Sequence, residues 1–228
     1  MPLLIIILLL LLALVFGPGI WVSHVIARYS KPEDRYPGTG AELARLLLDR
    51  NGLTDVGVEE TEQGDHYDPR DKTVRLTADK FGGRSLTAIT VAAHEVGHAV
   101  QDHTGYGPLR LRTRLVQVIE PIQKLGAGVL MVSPFIGAIT RAPGLTVLAF
   151  LGGMATLLSS TVVHFVTLPT ELDASFARAL PMLEKERILI DGDKPHARKL
   201  LKAAALTYVS ASLMSLLNIA RWWAILRR

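Results

Sequence analysis

The chain has 228 residues, of which 49% are hydrophobic, and its mean hydropathy of +0.30 is high for a soluble domain. It contains no cysteine, which excludes a disulfide framework and thiolate ligands for a metal. The net charge of +4 comes without a basic patch interleaved with aromatic residues, so no nucleic-acid partner is expected.

Long apolar runs are the first elements that the sequence predicts. Leu3 to Val22 is almost uninterrupted and is long enough to cross a bilayer core of about 30 Å as a helical anchor. Leu145 to Leu168 and Ala203 to Ile225 are similar, whereas the run from Val116 to Ile139 is interrupted by polar residues in its first half. These runs predict about four transmembrane helices, with the lipid bilayer as a partner.

The basic residues beside these runs predict an orientation. They follow the first run, precede the second and fill the connection between the third and the fourth. The connection between the second and the third has only Arg141. By the positive-inside rule, both large polar segments then face the cytoplasm.

A small region of mixed helix and strand is predicted after the first run. Thr39 and Glu42 form a capping box that begins a short helix, and Gly52 ends it. Alternating residues from Asp55 to Glu62 and from Thr73 to Thr77 predict two strands. Thr73 to Thr77 is a candidate for an edge strand that holds an extended peptide substrate, although it fits a purely structural strand equally well.

An H-E-x-x-H motif follows, within an apolar, helix-forming run that begins after the candidate N-cap Ser85. On a helix, His94 and His98 lie one turn apart on the same face, where both imidazoles can bind one metal. Glu95 would then lie beside the metal, where a carboxylate can take a proton from an activated water. The alternative is an ordinary helix with exposed histidines, but buried histidines need partners. The motif predicts one Zn²⁺ per chain.

A catalytic zinc usually takes three protein ligands and keeps one open position, so a third ligand is needed. Glu171 directly follows the third apolar run. If the second and third runs form a hairpin, the chain returns at about Leu168 to the side of the motif, and Glu171 lies near the two histidines. Asp173 and His164 are the alternatives, and Asp173 is also a candidate to accept a hydrogen bond from a ligating imidazole.

Three stretches together resemble the bacterial membrane-bound neutral zinc metallopeptidase family: His94 to Gln101, Leu168 to Ser175 and Ala203 to Val209. The resemblance covers essentially the whole chain. It extends more distantly to the heat-shock membrane proteases and the CAAX prenyl proteases, which are gluzincins. It implies that Glu171 is the third zinc ligand.

Two supporting roles are less closely defined. The distant relatives have an aspartate at the position of Ser175, where it supports a ligand histidine, and Asp173 is the candidate substitute in this chain. The oxyanion of the reaction needs a further donor. His196, Arg198 and Tyr208 lie near the fourth apolar run and are candidates, although each also fits an ordinary structural role.

The predicted fold is a membrane α+β protein with about four transmembrane helices and a small zincin-like catalytic domain, whose short β-sheet packs on the HExxH helix. The predicted segments are an N-terminal anchor (1–26), the catalytic domain (27–114), a transmembrane hairpin (115–168), the segment with the third ligand (169–202) and a C-terminal transmembrane helix (203–228).

The predicted function is that of a zinc-dependent endopeptidase. It would hydrolyse peptide bonds of membrane or membrane-proximal proteins through a metal-activated water, as a multi-pass protein of a bacterial cell membrane with its active site on the cytoplasmic side. The alternatives are a site-2-type intramembrane protease and a non-catalytic zinc-binding membrane scaffold. The sequence predicts no particular oligomeric state or cleavage preference.

Overall fold

The structure is a computed structural model that describes residues 2–207 of the chain. The elements in chain order are the helix α1 (Pro2–Tyr29), α2 (Gly40–Arg50), the strands β1 (Gly57–Glu60), β2 (His66–Asp68) and β3 (Thr73–Leu76), the short helix α3 (Ala78–Phe81), α4 (Leu86–His103), α5 (Gly107–Thr140), α6 (Pro143–Leu172), a π-helical segment (Asp173–Ala179) and α7 (Leu180–Lys185). Residues 194–207 form a further helix, α8.

The prediction of about four transmembrane helices is wrong. Among the helices of residues 2–207, none combines the length and the apolar character that crossing a bilayer requires. An apolar run predicts a helix, but it does not by itself determine what surrounds that helix. The predicted multi-pass topology and its orientation depend on these spans and therefore have no support. Most of the fourth predicted span, Ala203 to Ile225, lies outside the described residues.

The described chain forms two compact units. Within the described residues, one unit comprises residues 19–110 and 168–207, and the other comprises residues 2–18 and 111–167. The first unit contains the sheet, α4, the π-helical segment and α8, and therefore all the features discussed below.

The sheet has three strands in the order β1-β3-β2. Strand β1 pairs with β3 in parallel, and β2 pairs with β3 antiparallel. The prediction of Thr73 to Thr77 as an edge strand is therefore wrong, because β3 is the central strand and its backbone is paired on both sides. Val74 and Leu76 of β3 are completely buried, and β3 and β2 both contact α4.

Helix α4 lies at the centre of its unit. Its N-cap is Ser85, whose Oγ accepts a hydrogen bond from the Ala88 N–H at 3.1 Å. Helix α2, the sheet and the π-helical segment all pack against α4, which buries most of its circumference. Helix α2 begins with the predicted capping box, because Thr39 Oγ1 accepts from the Glu42 N–H and Glu42 Oε2 accepts from the Thr39 N–H. The motif therefore lies on a rigid, buried helix.

Candidate metal centre

The two histidines of the motif lie next to each other on one face of α4. Their ring centroids are 4.8 Å apart and their rings are nearly perpendicular, at 79°. His94 is 4% exposed and His98 is 5% exposed. Two buried imidazoles, which have lost their water contacts, are thus held side by side by the regular i, i+4 spacing of the helix.

Glu171, in the last turn of α6, brings a carboxylate to the same point. Its Oε2 lies 3.1 Å from His94 Nε2 and 3.4 Å from His98 Nε2, and the residue is only 1% exposed. One ligand atom from each of the three residues can be chosen so that all lie within 4.8 Å of one another. The cluster thus joins two helices that are far apart in the sequence.

The electrostatic environment favours an ionised Glu171. Burial raises the pKa of its carboxyl group, but the charge of His98 and hydrogen bonds with His94 and His98 outweigh burial and hold this pKa far below its ordinary value. The carboxylate therefore stays negative in the folded protein and can act as a ligand at neutral pH.

The outer nitrogen of each imidazole has a hydrogen-bond partner of its own. His98 Nδ1 lies 2.9 Å from Gln101 Oε1, which can only accept, so Nδ1 carries a proton, and in the neutral ring Nε2 keeps its lone pair. His94 Nδ1 lies 3.1 Å from the hydroxyl of Ser175. Ligating histidines in proteins are commonly held in this way.

These observations test whether the residues suit a metal. Two imidazole Nε2 atoms and an anionic oxygen, all electron-pair donors, converge on one buried point without a lysine or arginine among them. Nitrogen and carboxylate ligands of this kind are those that catalytic zinc sites use. The donor set of His94, His98 and Glu171 therefore fits Zn²⁺.

Ser175 has a role that sequence reasoning did not assign to it. The residue is completely buried, and its hydroxyl donates to the Leu201 carbonyl at 3.2 Å while it accepts from His94 Nδ1. Asp173, the predicted substitute, instead accepts hydrogen bonds from Gln101 Nε2 and Arg178 Nε. The sequence signal for this role was the aspartate that the distant relatives have at the position of Ser175.

The other predicted site residues have different surroundings. Glu95 is buried, 6% exposed, beside His94 in the chain. The ring of His196 lies 5.0 Å from that of Tyr29, and the Arg198 guanidinium lies 5.8 Å from the centre of the Phe176 ring. Tyr208 lies outside the described residues, and so does the side chain of His164.

Comparisons with known proteins agree with this centre. Residues 4–227 match the model of a family described as "Putative neutral zinc metallopeptidase". A protein of Bacillus subtilis (strain 168) named "Putative membrane protease YugP" is 38% identical over 225 residues, which cover 92% of this chain and 91% of that protein. No solved structure matches the chain. The resemblance found in the sequence is thus confirmed, and the chain belongs to the neutral zinc metallopeptidase family.

Proposed function

We propose that the protein is a zinc-dependent endopeptidase in which His94, His98 and Glu171 hold the metal and Glu95 is the general base. The observation that carries this proposal is the convergence of the three buried ligand atoms within 4.8 Å of one another. When bound there, zinc would supply Lewis-acid chemistry, which polarises the scissile carbonyl and makes water a stronger nucleophile at neutral pH.

Glu95 carries the proton in the proposed reaction. Its carboxylate takes a proton from the attacking water as the bond between the water oxygen and the carbonyl carbon forms. It then gives that proton to the peptide nitrogen as the carbon–nitrogen bond breaks. The products are a carboxylic acid and an amine, which become a carboxylate and an ammonium group when the acid gives its proton to the amine, and Glu95 ends in its starting state.

The number of ligands supports a catalytic role over a purely structural one. Structural zinc sites are usually closed by four protein ligands, whereas catalytic sites have three and keep one position open. Across residues 2–207, the group that could hold a metal has three members, His94, His98 and Glu171. A zinc with these three ligands would keep one coordination position open for a water or a substrate carbonyl.

The proposed substrates are membrane or membrane-proximal proteins of a bacterial cell. The support for a membrane is the printed name of the Bacillus subtilis relative. Trapping with an inactive variant in intact cells, followed by fractionation, tests this assignment. Captured proteins without membrane segments or membrane neighbours would contradict it.

The direct test of the mechanism is Glu95→Gln. This substitution removes the general base but none of the three metal-binding side chains, so zinc content should stay at one ion per chain while peptide cleavage is lost. Glu62→Gln is the matched control, because Glu62 is an exposed residue outside α4, and it should cleave normally. Cleavage by Glu95→Gln at the rate of the unmodified protein would exclude the proposed mechanism.

A further inference from the structure

Gln101 is a buried amide whose hydrogen bonds link His98 to the segment that carries Glu171. It is 0% exposed. Its Oε1 accepts from His98 Nδ1 at 2.9 Å, and its Nε2 donates to the Thr170 carbonyl at 2.8 Å and to Asp173 Oδ2 at 2.7 Å. A primary amide has two N–H donors, and both have an acceptor here.

The partners of Nε2 fix the orientation of this amide. A carbonyl and a carboxylate can only accept, so the nitrogen of Gln101 must face Thr170 and Asp173 and its oxygen must face His98. With an acceptor opposite Nδ1, the neutral His98 ring carries its proton there. In that neutral ring, His98 Nε2, which lies 3.4 Å from Glu171 Oε2, carries the lone pair that a metal would bind.

The same side chain also holds the segment that carries the third ligand. Thr170 directly precedes Glu171, so a hydrogen bond to its carbonyl fixes the backbone one residue from the carboxylate. Asp173 adds a second attachment two residues after Glu171, and Arg178 Nε holds that aspartate in turn at 3.2 Å. Gln101 therefore connects α4 to the chain on both sides of Glu171.

We propose that Gln101 is a positioning residue that assembles the metal site. It holds His98 in the Nδ1–H tautomer, and it holds Glu171 against the two histidines through Thr170 and Asp173. The proposal rests on the zinc site of the proposed function but not on peptide cleavage. An amide that only filled space in the core would affect folding and would leave the tautomer and the zinc affinity unchanged.

The test is Gln101→Met, which keeps the length of the side chain and removes its hydrogen bonds. The zinc dissociation constant, measured by competition with a chromophoric chelator, should rise about 10- to 100-fold, the usual effect of losing a partner of a ligating histidine. Gln63→Met is the matched control in an exposed loop and should bind zinc normally. Unchanged zinc affinity in a folded Gln101→Met protein would overturn the proposal.

Gln101→Glu separates the two parts of the role. A glutamate can still accept from His98 but cannot donate to Thr170, and it places a second negative charge beside Asp173. In the zinc-free protein, the ¹⁵N shifts of His98 should report the Nδ1–H tautomer for Gln101 and Gln101→Glu, and a mixture for Gln101→Met. Zinc affinity should fall in both variants. A His98 ring with the same tautomer in all three proteins would refute the first part of the role.

Two other results, an unfolded variant and a protein without zinc, also have a definite meaning. If Gln101→Met does not fold, Asp173→Ala decides, because it removes one acceptor of the Gln101 amide and should weaken zinc binding several-fold; wild-type affinity there would overturn the proposal. If the unmodified protein binds no zinc, the proposed function fails, whereas the tautomer of His98 in the zinc-free protein still tests what Gln101 does.

Discussion

The metal centre is made by two regions with different backbone structure. Helix α4 is a regular 18-residue α-helix, and His94, His98 and Gln101 follow its period along one face. The opposing region is the end of α6 and the π-helical segment Asp173–Ala179. In a π-helix the hydrogen bonds reach one residue further, so the face that each side chain occupies departs from the α-helical period.

This difference in backbone structure determines which side chains each region directs toward the candidate metal centre. The regular helix presents ligands at a spacing that any α-helix would give. The irregular segment turns Ala174 and Ser175 toward α4, where both are completely buried, while Glu171 approaches from the preceding turn. Irregular helical turns are frequent at functional sites because they direct side chains in ways that a regular helix cannot. Substitutions in each region should therefore affect zinc binding and stability to different extents.

The largest effect is expected when either region loses its metal ligand. His98→Ala and Glu171→Ala each remove one of three donors, and each should weaken zinc binding at least about 100-fold, since a protein-bound zinc gains several kcal/mol from each ligand. Equilibrium dialysis followed by metal analysis measures this loss. Glu62→Ala is the control for Glu171→Ala. If Glu171→Ala bound zinc as tightly as the unmodified protein, α4 alone would make the site and the second region would be unnecessary.

Gly97 tests how closely the two regions approach. A Cβ added at this position would lie 2.6 Å from the Ala174 carbonyl oxygen, which is a backbone atom and cannot rotate away. Gly97→Ala should therefore force α4 and the π-helical segment apart and lower the free energy of unfolding by about 1–3 kcal/mol. Urea denaturation measures this change.

Gly107→Ala is the matched control, because an added Cβ there meets nothing within 4 Å. It should change the free energy of unfolding by less than about 1 kcal/mol. Equal stability of the Gly97→Ala and Gly107→Ala proteins would show that the two regions are not in close contact.

A smaller effect is expected at Ser175. Ser175→Ala removes the acceptor of His94 Nδ1 and the donor to the Leu201 carbonyl without touching a metal ligand. Zinc affinity should fall about tenfold, at the lower end of the range for a partner of a ligating histidine. Ser30→Ala, which removes a hydroxyl that donates to the Ile26 carbonyl in the last turn of α1, should leave zinc affinity unchanged. An equal effect of the two substitutions would contradict the assigned role of Ser175.

The smallest effect concerns Asp193, just before α8, the helix to which Ser175 is attached. The carboxylate accepts from Arg35 at 2.7 Å and from the Tyr36 hydroxyl at 2.6 Å. Burial raises the pKa of Asp193, but hydrogen bonds from Arg35 and Tyr36 outweigh it and hold this pKa below its ordinary value. A lowered pKa in the folded state stabilises the protein above about pH 4, and this contribution is lost as the pH falls through the folded pKa.

Tyr36→Phe should therefore cost about 1 kcal/mol of unfolding free energy at pH 7 and less at pH 3. Urea denaturation at the two pH values measures both numbers. Tyr106→Phe, at a half-buried tyrosine outside this cluster, is the control and should change neither. A penalty for Tyr36→Phe that did not shrink in acid would show that the hydroxyl does not stabilise the charged form of Asp193.

The α4 half of the site was predictable because its signals are local. Ser85 as the N-cap, the pairing of His94 with His98 and the apolar pattern of the helix all depend on neighbours within a few turns. Glu171 could be named as a candidate from the order of the apolar runs. If the second and third runs form a hairpin, the chain returns to the motif just before Glu171. Its role as a ligand remains a prediction.

The other half was not predictable because it depends on packing between distant segments. The π-helical turn directs Ser175 toward His94, and the amide of Gln101 reaches the Thr170 carbonyl. Neither feature has a periodic signature in the sequence. The central place of β3 depends on where β1 and β2 pair, which alternation does not encode. The predicted transmembrane spans failed for a related reason, since hydropathy describes a segment and not its surroundings.

In the proposed site, one zinc is held jointly by α4 and by the carboxylate of Glu171. Zinc K-edge X-ray absorption of the purified protein examines this arrangement, since it reports the number and type of ligands. We predict two imidazole nitrogens at about 2.0–2.1 Å and oxygen ligands at about 2.0–2.2 Å, with loss of one oxygen ligand or of the metal in Glu171→Ala. A spectrum with three or more imidazoles, or one unchanged by Glu171→Ala, would contradict the account.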